Sequence, residues 1–137
     1  MVRELEVLVL DDEPIVGKRL GPALAKVGCR VEVFENPRLA LERIAAKEFD
    51  IVVTDVRMDE IDGLQVLEAV AAKSPRTKVI MITGYAMMSL ARQAMDKGAF
   101  DFIAKPFTPE DLRTVVQKAA EALAAGDAAP ATQAQGA

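Results

Sequence analysis

Residues 7–14 read Val-Leu-Val-Leu-Asp-Asp-Glu-Pro, and this stretch decides the fold. Four apolar residues, of strand length, run straight into a pair of carboxylates and then into a segment of helical period that begins at Pro14. The same strand-to-polar step recurs three times. Ile51-Val52-Val53-Thr54 runs into Asp55, Val79-Ile80-Met81-Ile82 into Thr83, and Phe102-Ile103-Ala104 into Lys105-Pro106. In an open parallel sheet the C-terminal strand ends share one edge, and ligands bind there. The pattern therefore predicts that three carboxylates, a hydroxyl and an ammonium converge in one pocket. That set suits a divalent cation and a phosphoryl group.

Working outward, apolar segments of strand length alternate with longer helical ones. Strands are predicted at Leu5 to Leu10, Arg30 to Phe34, Ile51 to Thr54, Lys78 to Ile82 and Phe100 to Ala104. Helices are predicted at Pro14–Val27, Pro37–Lys47, Leu64–Lys73, Ala86–Lys97 and Pro109–Ala124. Asn36-Pro37 and Thr108-Pro109 each place a cap residue before a first-turn proline, and Thr108 with Asp111 forms a capping-box pattern. Gly28 and Gly98 follow their helices as stop signals. Pro22 inside the first helix removes a backbone bond and predicts a local kink. Leu20, Ala23, Leu24 and Val27 form the core stripe of that helix, and Met87, Leu90, Ala91 and Ala94 that of the fourth.

Strict alternation implies a parallel sheet with right-handed crossovers. The first, third and fourth strands are nearly all apolar, as buried central strands are. The second alternates Val31, Glu32, Val33 and the fifth carries Asp101, so both belong at edges. The expected fold is a flavodoxin-like (βα)5 doubly wound α/β sheet with strand order 2-1-3-4-5. Residues 1–124 make one domain, and residues 125–137, rich in Ala and Gln, read as a disordered tail or a truncated linker.

The chain has 137 residues, 51% of them hydrophobic, 28% charged, and a net charge of −4. An acidic balance of this kind offers no broad face for nucleic-acid phosphate, so no direct nucleic-acid binding is expected. Apolar runs are too short to span a membrane, and the first residues enter a strand at once, leaving no room for a signal peptide. One cysteine, Cys29, and the absence of histidine exclude an internal disulfide, His-dependent triads and His-ligated zinc. A cytoplasmic location is expected.

The polar rim has specific chemistry. Asp11, Asp12 and Asp55 repel one another unless a cation bridges them, and an all-oxygen set favours Mg²⁺. Taken alone, Asp11-Asp12-Glu13 is also an ordinary acidic strand-to-helix turn. Asp55 is the candidate nucleophile toward a phosphoryl group. Lys105 is placed to pair with Asp55 at rest and with phosphate afterwards, and Pro106 is the candidate for a cis bond. Thr83 offers a hydroxyl to a phosphate oxygen, with Gly84 leaving room for its approach.

These residues resemble the receiver domains of two-component response regulators, over about Leu5 to Leu123. Thr54-Asp55-Val56-Arg57-Met58, Met81-Ile82-Thr83-Gly84-Tyr85 and the run from Gly98 to Phe107 resemble the subclass that precedes AAA+ enhancer-binding activators. The resemblance implies that Asp55 takes a phosphoryl group from the phosphohistidine of a sensor histidine kinase or histidine phosphotransfer protein. It implies that Asp12 and Asp55 ligate Mg²⁺, with the Arg57 carbonyl as a further ligand and Asp11 acting through water. Thr83 and Phe102 would be the switch pair, and Gly84, Arg57 and Tyr85 would flank the phosphate. The face formed by the fourth helix, fifth strand and fifth helix would then control an output protein, an effector domain or a phosphorylation-dependent homodimer. The implied role is regulatory, with only weak self-phosphotransfer and self-dephosphorylation. Asp59 stands where the family often has proline, and Phe102 lacks a hydroxyl.

Ile15, Arg19 and Pro22 fall beside the acidic site and are the expected docking face for the kinase. Two other readings compete. An aspartate-nucleophile phosphohydrolase would carry an acid two residues after its nucleophile, where this chain has Arg57. A phosphorylation-independent interaction module would have no need of so complete a site.

Overall fold

The computed structural model of the chain describes residues 4–56, 61–84 and 88–128. Five parallel strands, β1 (Leu5–Leu10), β2 (Cys29–Phe34), β3 (Ile51–Asp55), β4 (Lys78–Thr83) and β5 (Asp101–Ala104), lie in the order β2-β1-β3-β4-β5. Five helices alternate with them: α1 (Pro14–Ala25), α2 (Pro37–Ala46), α3 (Gly63–Lys73), α4 (Met88–Asp96) and α5 (Pro109–Ala128). The order and the alternation are those predicted.

Period-two alternation of side chains divides the sheet into two apolar layers. Leu8, Leu10, Val52 and Met81 pack against Ala40, Ile44, Val66, Val70 and Ala94, which come from α2, α3 and α4. Val7, Val9, Ile51, Val53, Ile80 and Ile82 pack against Leu20, Leu24, Leu112, Val116 and Leu123 from α1 and α5. The three middle strands are thus buried on both faces, which is why their sequences are continuously apolar.

Helix starts follow local chemistry. Asn36 accepts the N–H of Arg38 at 2.8 Å and of Leu39 at 3.3 Å. Thr108 and Asp111 bond reciprocally at 2.9 and 3.0 Å, the predicted box. A second box, Asp62 with Gln65, starts α3 at Gly63, one residue before the expected Leu64.

Two helix ends differ from expectation by more than one residue. α1 runs through Pro22 without interruption but ends at Ala25, and Val27, placed by spacing in the core stripe, is 54% exposed. The cause is a tightened exit: Val27 and Gly28 donate to Leu24 and Ala25 at 3.1 Å, and Gly28 takes φ 90°, which turns Val27 away from the core. α5 continues to Ala128, four residues beyond the expected Ala124, because Gly126 in an alanine-rich run lowers helix propensity without stopping the helix. For α4, Ala86 and Met87 lie outside the described residues, while Ala91 and Ala94 are fully buried as predicted.

Candidate functional site

Asp11 follows β1 directly. Its Oδ1 accepts the Glu13 N–H at 2.8 Å, a local turn that launches α1 without a side-chain cap from Glu13. Its other oxygen, Oδ2, is buried and accepts no aligned hydrogen bond among the described residues. Asp12 is exposed, and Asp55, the last residue of β3, is 9% exposed. Carboxylate oxygens of Asp11, Asp12 and Asp55 all lie within 4.8 Å of one another.

Past the strand ends, backbone bonds prolong the ladder and hold the rim. Val56 N–H donates to Ile82 O at 2.9 Å, and Lys105 N–H to Thr83 O at 2.7 Å. The Lys105–Pro106 bond is cis. The Lys105 ammonium lies 2.6 Å from Glu13 Oε1, 3.2 Å from Asp11 Oδ2 and 3.5 Å from Asp55 Oδ2. The Asp11 contact is an ion pair without the alignment of a hydrogen bond.

The Lys105 ammonium therefore faces Asp11, Asp55 and Glu13. Burial pushes the Asp11 carboxyl above the usual range, opposed by the Glu13 N–H and by Lys105. Burial acts to lower Lys105, but the bond to Glu13 and the charges of Asp55 and Asp11 outweigh it and hold the ammonium above its ordinary value. A buried carboxylate oxygen that accepts no aligned hydrogen bond among the described residues, inside a cluster of three carboxylates, is the environment a hard, oxygen-seeking cation fits.

Thr83 is fully buried at the end of β4, and its hydroxyl donates to Gly84 O at 3.0 Å. In the β4–β5 register Thr83 stands opposite Ala104 and Met81 opposite Phe102, so Thr83 and Phe102 share a sheet face on neighbouring strands. The Phe102 ring is half-buried against the layer under α2, α3 and α4. Arg57 and Tyr85 lie outside the described residues.

Beside the rim, Glu13, Ile15, Val16, Arg19, Lys105, Pro106 and Phe107 line a groove of about 330 Å³. Ile15 is 62% exposed there. Pro22, grouped with Ile15 and Arg19 from sequence, is exposed but does not line this groove. The sequence reading missed Glu13 as a partner of Lys105, having taken it for a helix-start acid; its place directly after two rim carboxylates was the available signal.

The fold and its polar rim define an α/β protein with its site at the C-terminal edge of a doubly wound sheet. The chain belongs to the response regulator receiver domain family, whose model matches residues 7–117; these are the phosphorylation-controlled switches of two-component signalling. It is 38% identical over 113 residues to the Regulatory protein AtoC of Escherichia coli, covering 82% of this chain and 24% of that protein. It is 34% identical to the Response regulator protein PilR of Pseudomonas aeruginosa, covering 83% and 26%. The chain thus spans about a quarter of the length of the curated relatives it matches. Among solved structures, the receiver domain of NtrX from Brucella abortus superposes with a TM-score of 0.78 at 30% identity, over 84% of this chain and 98% of that one. Full-length FixJ from B. japonicum gives 0.81 at 29%, over 89% and 60%. Receiver domains bind Mg²⁺ at acidic residues, and the cluster here is of that type. No helix among the described residues is long and apolar enough to cross a membrane.

Proposed function

We propose that Asp55 is the phosphoacceptor of a signalling switch charged by a sensor histidine kinase or a histidine phosphotransfer protein. The supporting observation is the buried Asp55 carboxylate, clustered with Asp11 and Asp12 and faced by Lys105 at 3.5 Å. An Asp55 oxygen forms a bond to phosphorus while the phosphorus–nitrogen bond to histidine breaks, and the imidazole leaves with that electron pair. Lys105 meets the charge that develops on the phosphoryl oxygens. Asp11, Asp12 and Asp55 would hold Mg²⁺, with the Arg57 carbonyl as the family resemblance suggests. Bound there, the ion would offset two of the three carboxylate charges and supply positive charge for phosphoryl oxygens.

Phosphorylation then sets the Thr83 hydroxyl a choice between the Gly84 carbonyl and a phosphoryl oxygen. Its movement lets the Phe102 ring turn inward and alters the face made by α4, β5 and α5. That face serves an output protein or effector domain, or a second copy of the chain. Likeness to the DNA-binding transcriptional regulator NtrC of Escherichia coli, 34% identical over 113 residues, supports output in transcriptional regulation, in the manner of the enhancer-binding activators. The role is regulatory, the location cytoplasmic, and turnover is confined to slow self-phosphorylation and self-dephosphorylation. The domain proper is residues 1–124, with α5 running four residues further.

Acetyl phosphate with Mg²⁺ tests the reading. Labelling of one phosphoryl per chain, abolished by Asp55→Asn, is the expected result. Sustained release of phosphate over many turnovers would instead mark a phosphohydrolase, and no labelling an interaction module.

A further inference from the structure

Lys105 carries three N–H donors, and in the resting protein its shortest contact is neither Asp55 nor Asp11. It is Glu13, at 2.6 Å against 3.5 and 3.2 Å. Glu13 also stands apart chemically. The carboxylates that could hold a cation are Asp11, Asp12 and Asp55. A divalent ion would offset two of those three charges and weaken the claim of Asp11 and Asp55 on Lys105, leaving the charge of Glu13 untouched.

Resting on the phosphoacceptor reading of Asp55, we propose that Glu13 is a positioning residue that holds Lys105 as an internal competitor of the incoming phosphoryl group. Two structural facts suit it to a releasable hold. The Glu13 backbone is fixed, because its N–H is bound by Asp11 Oδ1 at 2.8 Å. Its side chain is 60% exposed and can swing into water at low cost. It also lines the groove with Ile15 and Arg19, which Asp55 does not, so a phosphodonor docked in that groove would touch Glu13. Charging the site is then an exchange of anions at one ammonium: Glu13 leaves Lys105 and a phosphoryl oxygen takes its place.

The test is a double-mutant cycle with a non-covalent phosphoryl mimic. Affinity for beryllofluoride in the presence of Mg²⁺ is measured by calorimetry for the wild type, Glu13→Gln, Lys105→Gln and the double variant, with melting curves to verify folding. Glu13→Gln is expected to raise affinity roughly two- to fivefold, the range that loss of an exposed ion pair commands. It is expected to change nothing when Lys105 is already Gln, and Glu13→Asp is expected to restore the wild-type value at least in part. An equal gain in both Lys105 backgrounds would reduce Glu13 to simple repulsion of the anion and overturn the proposal, as would no gain in either. A wild-type chain that fails to bind the mimic at all overturns the reading of Asp55 itself, a distinguishable outcome.

Discussion

Gly63 presses on the backbone of Asp55: a Cβ at position 63 would stand 2.8 Å from the Asp55 carbonyl oxygen and 3.0 Å from Val56 Cα. Gly63 also donates its N–H to Val56 O at 2.7 Å, so the start of α3 is clamped to the end of β3. Backbone atoms cannot rotate aside as a side chain can. Gly63→Ala is therefore expected to lose about 1–3 kcal/mol, read from the urea midpoint. It should also slow acetyl phosphate labelling beyond what lost stability explains, because the displaced atoms carry Asp55. Gly126→Ala, far along α5 from the rim, is the control for bulk, since no atom of the described residues lies within 4 Å of a Cβ there. An unchanged urea midpoint for Gly63→Ala would contradict the contact.

Metal binding should be visible in stability. With Asp11, Asp12 and Asp55 clustered, a cation that binds only the folded chain stabilises it by mass action. Mg²⁺ well above its dissociation constant is expected to raise the Tm by roughly 5–10 °C. Asp12 is exposed, so Asp12→Asn disturbs little packing. That variant should melt at or above the wild type without Mg²⁺, having lost a repulsive charge, and should respond little when Mg²⁺ is added. A wild-type Tm indifferent to Mg²⁺ would remove the metal site.

Acid lability should trace in part to the edge strand. Glu32 on β2 accepts from Arg43 at 2.8 Å and from Lys47 at 2.9 Å. Chiefly the Arg43 bond, reinforced by Lys47 against the cost of burial, takes its pKa from 4.5 down to about 2. A depressed folded value means the unfolded chain binds the proton more tightly. The stabilisation is thus complete above pH 4.5 and is lost as pH falls toward about 2. With solvent screening of a partly exposed pair, Glu32→Gln should cost about 1–2 kcal/mol near neutrality. The gap between variant and wild type should close in acid, and denaturation at several pH values would show a constant gap if the argument fails.

The legible parts of this protein were those set by repeating physics. Alternation of strand and helix, buried middle strands and charged edges gave the strand order, and the rule that strand ends share an edge brought Asp11, Asp12, Asp55 and Lys105 together. Less legible were features that depend on atomic reach. Val27 has core spacing, yet a tightened turn before Gly28 exposes it. The Glu13–Lys105 pair joins residues 92 apart through two flexible side chains, so the place of Glu13 after two rim carboxylates puts it near Lys105 without stating the contact. The pressure of Gly63 on Asp55 depends on how closely α3 approaches β3, a distance that the sequence around Asp62 does not state.

Ile15 offers a last separation, between docking and chemistry. It is 62% exposed and lines the groove with Arg19, Pro106 and Phe107 at the edge of the acidic site. A large exposed apolar side chain beside the acidic rim suits contact with a macromolecular phosphodonor, whereas acetyl phosphate is too small to need the groove. Ile15→Gln keeps the size and adds no charge, so the field at Asp55 is preserved. Transfer from a phosphohistidine-bearing protein that charges the wild type is expected to slow by about tenfold, the cost of a modest interface anchor. Labelling by acetyl phosphate should be unchanged. Equal loss with both donors would mean that Ile15 shapes the site rather than docks a partner, and the kinase face would have to be sought elsewhere on the molecule.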